Sequence, residues 1–234
     1  MSEEKLLTAF PQAGLDFLQE LSENNNREWF NANKKRYEDD LRSPAVELVI
    51  ALGEGLQDHF PGVSYDTAVN GSGSLMRIYR DIRFSKDKTP YKDRIAMGFP
   101  EGGGKKMKAS SFGIQISATE AGLMAGVFGF DKEQLTQYRD AIVNKKSGHE
   151  LVEAVKLVQS AGDYEISGAH YKRPPRGYDL PGDERDDYLL YNGLWASYPT
   201  IPRDIVMSDS FVDVVIKHFV NMSPIQQWLV KVFS

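Results

Sequence analysis

The apolar residues of this chain change period twice along its length, and that change restricts the fold more than any single motif. Phe10, Ala13, Phe17, Leu18 and Leu21 recur at helical spacing, which places them on one helix face. Asn24, Asn25 and Asn26 interrupt the pattern, as residues suited to end one helix and cap the next. A second helix is expected from about Arg27 to Leu41 on Trp29, Phe30, Tyr37 and Leu41. A third should open at Ser43 and Pro44 and run through Ala45, Leu48, Val49, Leu52, Leu56 and Phe60.

In the middle the period becomes two. Met76, Ile78, Ile82 and Phe84 alternate with Arg77, Tyr79, Asp81 and Arg83, which predicts a strand from Leu75 to Phe84 with Arg80 interrupting its apolar face. SSFGIQIS (110–117) and GLMAGVFGF (122–130) flank the polar A-T-E-A and read as an antiparallel hairpin. EGGGKKMK (101–108) reads as a loop.

Helical spacing then returns. Asp131 with Gln134, and Ser147 with Glu150, have capping-box spacing and open helices expected over 132–144 and 148–159. A strand is expected over 163–169, and KRPPRGYDLP (172–181) should be irregular because its prolines remove donors. The acidic run at 183–187 fits a solvated helix start. Two closing helices should begin at Ser208 and at Ser223–Pro224. The pattern predicts an α+β fold, a mainly antiparallel sheet flanked by N-terminal and C-terminal helices, in a single domain over residues 1–234.

Composition excludes several classes. At 41% hydrophobic and 26% charged residues the chain can build a core and is not a disordered sequence. The absence of cysteine removes disulfides, thiolate nucleophiles and cysteine metal sites. The start MSEEKLLTAF is acidic where a secretory signal is basic, and no apolar run approaches the roughly 18 residues of a membrane span. A cytoplasmic protein without a membrane partner is expected. The four histidines (59, 149, 170, 218) lack helical metal-site spacing, so no metal is expected.

Against a net charge of -5, residues 72–108 hold ten Lys/Arg and four Asp/Glu. Charge segregated in this way steers anions to one region. The candidates are Arg77, Arg80 and Arg83 as an anion grip, Asp81 and Asp87 as orienting carboxylates, Lys88 as auxiliary charge and Tyr91 as a hydroxyl or stacking wall. A second island, His170, Tyr171, Lys172, Arg173, Arg176 and Tyr178, adds Arg173 and Arg176 should the fold place it beside the first. No phosphate-binding Gly-rich loop is present in EGGGKK.

The spacing R-x-x-R-D-x-R-F-x-x-D-K-x-x-Y, filled by Arg77, Arg80, Asp81, Arg83, Phe84, Asp87, Lys88 and Tyr91, resembles the signature of a bacterial family known as domain of unknown function 2461. The opening GLDFLQELSENNNREWFNANKKRYEDDL (14–41) is similar to that family's start. The resemblance implies a single-domain protein of about this length and names no activity, cofactor or substrate.

Three readings remain. The segment binds a phosphate-bearing small molecule or nucleic acid. It serves a phosphoester hydrolase or transferase with Asp81 or Asp87 as proton acceptor. Or it is an internal network of Arg80 and Asp81 that holds the fold or serves a protein-interaction role.

Overall fold

The structure, a computed structural model, describes residues 6–102, 109–174 and 176–234. The first helix, α1 (Gln12–Glu23), buries Leu15, Phe17, Leu18 and Leu21, the residues its spacing selects. Asn26 caps α2 (Arg27–Ala32) by accepting from Trp29 N at 2.9 Å. The continuous second helix expected to Leu41 is instead broken at Asn33 into α2, a short α3 (Lys34–Arg36) and a π-helical turn over Tyr37–Arg42. That turn runs straight into α4 (Ser43–His59), so Ser43 is helical and caps nothing. Pro44 has no N–H for the carbonyl four residues back, and a widened turn at that junction is the local consequence.

Five strands form one sheet in the order β1 (Arg94–Pro100), β2 (Ser111–Ser117), β3 (Glu120–Val127), β5 (Tyr191–Pro202), β4 (Glu165–Ala169). The expected α+β class, an antiparallel sheet with helices at both termini, is the one observed. The hairpin β2–β3 turns at Ser117, whose Oγ accepts from Glu120 N at 3.2 Å. β4 pairs with β5 at Glu165–Ser197 and Ser167–Trp195, then slips at Gly168. There φ is +133° and any Cβ would strike the carbonyl of Gly193, so only glycine fits the irregularity.

Neither β1 nor β5 was expected. RIAMGFP does alternate, burying Ile95, Met97 and Phe99. β5 buries Gly193, Leu194, Ala196 and Ile201 without regular alternation and carries Pro199 and Pro202, so a period of two does not reveal it.

The later helices follow the spacing with two corrections. Asp131 and Gln134 form the expected capping box of α5 (Lys132–Val143). The box at Ser147 does not form, because Asn144 caps α6 (Lys145–Ser160) three residues earlier. A short α7 (Arg185–Tyr188) follows the 172–181 segment, which is irregular where described. After α8 (Arg203–Val206), the two closing helices are one helix, α9 (Phe211–Phe233), with Pro224 inside it. Its apolar side, Phe211, Val215, Phe219, Met222, Ile225 and Leu229, stays buried on both sides of the proline, and that continuous stripe outweighs the missing donor. Among the described residues no helix is long and apolar enough to cross a membrane.

The chain divides into two compact units. The first reaches Phe99 and adds Gly113–Gly122 and Thr200–Lys217. Its core gathers Phe10, Phe17, Leu21, Phe30, Leu48 and Leu52, each almost fully buried, and each contributing about 1.5–3 kcal/mol of burial. The second comprises Pro100–Phe112, Leu123–Pro199 and His218–Ser234. It is packed around Tyr138, Ile142, Leu151, Val158, Leu194 and Phe219.

Candidate functional site

The basic signature does not form the strand expected over Leu75–Phe84. It makes only two isolated antiparallel bridges, Leu75 with Met97 and Tyr79 with Tyr91. The burial shows why the alternation misled: Leu75 and Ile78 are buried, while Met76 and Phe84 are 43% and 96% exposed. A side chain also takes the place of a ladder partner, since Lys92 Nζ donates to Arg77 O at 2.8 Å. Around the second bridge Arg80 N donates to Pro90 O and Lys92 N to Ile78 O at 2.9 and 2.8 Å. Residues 81–89 thereby become a closed loop.

Asp87 fastens that loop. Its carboxylate accepts from Thr89 N at 2.9 Å and from Arg80 Nη1 at 2.5 Å, and Arg80 Nη1 also donates to the Thr89 hydroxyl. The Thr89 N–H, the Arg80 guanidinium and the Thr89 hydroxyl together hold the Asp87 carboxyl down at about 2. The expected network of Arg80 with Asp81 is therefore replaced by Arg80 with Asp87. Asp81 pairs instead with Arg83 at 2.7 Å, a pair in which both side chains are largely exposed. Hydrogen bonds from Arg83 lower the Asp81 pKa. Lys88 Nζ donates to Ile82 O at 2.9 Å and so closes the loop rather than standing free.

Tyr91 is 4% exposed and its ring stacks on Phe30, centroids 4.0 Å apart and planes within 15°. It is an anchor that joins the loop to α2. Asn25 fixes it from the other side, with Nδ2 donating to Tyr91 O at 3.0 Å and Oδ1 accepting from Tyr91 N at 3.1 Å.

These contacts leave a cleft of about 460 Å³ in the first unit, lined by Asn25, Arg80, Asp87, Lys92, Asp93 and Arg94 together with Ser22, Thr89 and Tyr91. Arg94 Nε donates to Asp93 at 2.9 Å. Nη2 of Arg80 and both Nη atoms of Arg94 make no hydrogen bond to the described residues. Lys92 has no carboxylate partner among the described residues. Burial first, and the nearby charge of Arg77 second, lower the Lys92 pKa.

The structure thus brings Arg80, Asp87 and Tyr91 to one cleft. Arg77 lines a different hollow, and Arg83 with Asp81 stands out on the loop. Arg173 and Arg176 belong to the second unit, where both are exposed. Lys92, Asp93, Arg94, Thr89 and Asn25 are not in the set of site residues expected from the sequence. The first three sit in the same basic segment, but only the Tyr79–Tyr91 bridge reveals that the chain returns past Arg80. Of the loop expected over 101–108, residues 103–108 lie outside the described residues. Among the described residues no cluster of three or more His, Asp or Glu is placed to hold a metal ion.

No curated protein matches the chain. Residues 13–228 match the family described as conserved hypothetical protein, domain of unknown function 2461. That match takes in both the Asn25 turn and the Arg80 loop, and the chain belongs to this family.

Proposed function

We propose that the Arg80 cleft binds a phosphate-bearing ligand, a nucleotide or a nucleic-acid strand, in the cytoplasm of a bacterium. One observation carries this reading: Lys92 is a half-buried cation without a carboxylate partner among the described residues, held in the cleft beside two arginines that have donors to spare. Burial and the charge of Arg77 both oppose its protonation, and a bound anion would offset that cost. Asp87 holds Arg80 in one orientation, so less rotamer freedom is lost when an oxyanion arrives. Guanidinium groups suit phosphate because they present paired donors in a plane.

The hydrolytic reading is less well supported. A general base works best with a pKa near the operating pH, whereas Asp87 sits at about 2 and Asp81 is lowered as well. A second reading, an internal network without a ligand, is favoured by the engagement of Arg80 with Asp87 and Thr89. In that case Arg80→Met destabilises the protein and no ligand shifts its melting.

The experiment is thermal melting of wild type and Arg94→Gln with inorganic phosphate, mononucleotides, dinucleotides and short single strands at low and high salt. Arg94 is half exposed, so the variant should fold. Ligand at ~100 times its Kd stabilises by about 2.7 kcal/mol. A salt-sensitive rise in Tm, reduced in Arg94→Gln, is expected. No rise with any ligand would remove the proposal.

A further inference from the structure

The first unit contains a second hollow that none of the Arg80, Lys92 and Arg94 side chains lines. It measures about 180 Å³. Its walls are the rings of Phe30, Tyr37 and Tyr79, with the Phe30 centroid 5.1 Å from Tyr37 and 6.1 Å from Tyr79. Leu75 and Ile78, both buried, add an apolar lining. Tyr79 is 56% exposed and Met76, three residues before it, 43%, an unusual exposure for large side chains that line the same small hollow.

Its charges are unbalanced. Glu38 pairs with Arg42 although its buried Oε2 accepts no hydrogen bond from the described residues, so the lining sets one carboxylate against the cations Lys34, Arg42 and Arg77. Lys34 and Arg77 line the same hollow and make no ion pair or side-chain hydrogen bond with the described residues. Arg77 is held close over Gly71, where any Cβ would meet its Nε. Burial raises the Tyr37 pKa to about 12, so its hydroxyl is a neutral donor at physiological pH.

We propose that this hollow is a binding site for a small aromatic anion, a single ring bearing a phosphate or carboxylate, with the ring among Phe30, Tyr37 and Tyr79 and its charge met by Arg77 and Lys34. The size supports one ring and no more, since apolar cavities of about 150 Å³ accept benzene and drug-sized ligands need roughly 300–1,000 Å³. The three rings offer edge and face contacts to a fourth, and unpaired cations beside aromatic walls select an anionic substituent over a neutral one.

The probe is phenyl phosphate, followed by ligand-observed NMR and titration calorimetry, with benzoate as the carboxylate arm and phenol and inorganic phosphate as controls. Wild type is expected to bind phenyl phosphate more tightly than either control. Tyr79→Ala and Arg77→Gln should each weaken it by about tenfold, equivalent to ~1.4 kcal/mol, and Arg94→Gln, in the other cleft, should leave it unchanged. Lys34→Gln, at an exposed position, provides a second cation variant if Arg77→Gln fails to fold. The proposal is overturned if phenyl phosphate does not bind, if it binds no better than phenol, or if Tyr79→Ala and both cation variants bind as wild type does. It is also overturned if Arg94→Gln abolishes binding, since the ligand would then occupy the Arg80 cleft.

Discussion

Asn25 holds the backbone of Tyr91 by both of its amide atoms, across 66 residues of chain. The turn between α1 and α2 is thereby tied to the end of the basic segment, and Tyr91 is pressed onto Phe30. Asn25→Ala leaves a part-buried N–H and carbonyl without that partner, at about 1–3 kcal/mol for the pair. For a chain of this size Tm should fall by roughly 2–4 °C per kcal/mol. Asn25→Asp keeps the acceptor but turns an oxygen toward the Tyr91 carbonyl, so it should be no better than alanine in a urea denaturation series.

Acid should loosen the Arg80 loop. The folded pKa of Asp87, about 2, lies below the ordinary value of about 3.9. Its stabilisation is therefore complete above about pH 4 and is lost as pH falls toward 2. In denaturation midpoints measured across that window, Asp87→Asn should show a shallower decline than wild type. Asp183 in the second unit is likewise held at about 2 by Arg185, so it declines equally in both proteins and the difference isolates Asp87. Parallel curves would contradict the assignment.

Gly71 has φ of +93° and lies directly under Arg77. Gly71→Ala should destabilise by about 1–2 kcal/mol from the left-handed backbone alone, and it should also displace Arg77. A matched loss of phenyl phosphate binding would follow if Arg77 is a ligand contact.

In the second unit, Asn221 Nδ2 donates to Tyr164 Oη at 2.9 Å, which leaves the phenol proton for His218 Nδ1 at 2.7 Å. Tyr198 stacks on the same imidazole at 3.8 Å. Tyr164 is 7% exposed, so Tyr164→Phe should cost about 1–2 kcal/mol, read as a lower midpoint at unchanged denaturant slope.

How far the sequence could be read depended on whether one local rule acted alone. Leu15, Leu18 and Leu21 kept helical spacing with no competing signal, and Asp131 with Gln134 closed their capping box as written. Where two signals met, packing decided. Pro224 follows Ser223 like a helix start, yet the buried stripe from Phe211 to Leu229 runs through it. The alternation over 75–84 had the right period for a strand, but the Tyr79–Tyr91 bridge and the Asp87 fastening bend the segment into a loop. For the same reason the charge cluster was legible and its grouping was not. Arg77, Arg80 and Arg83 are evenly spaced in sequence and end in three different surroundings, while Lys92 and Arg94 join Arg80 only through the return of the chain.

Lys92 separates stability from binding. Its charge is disfavoured by burial and by Arg77, which offsets the loss of its hydrogen bond to Arg77 O, so Lys92→Met should fold with stability within about 1 kcal/mol of wild type. Calorimetric titration of inorganic phosphate and a mononucleotide into wild type and Lys92→Met, near neutral pH at low and high salt, therefore decides whether the Arg80 cleft is an anion site. The prediction is salt-sensitive binding in wild type, weaker by about tenfold or more in a fully folded Lys92→Met protein. No binding by wild type, or equal binding by both, would contradict it.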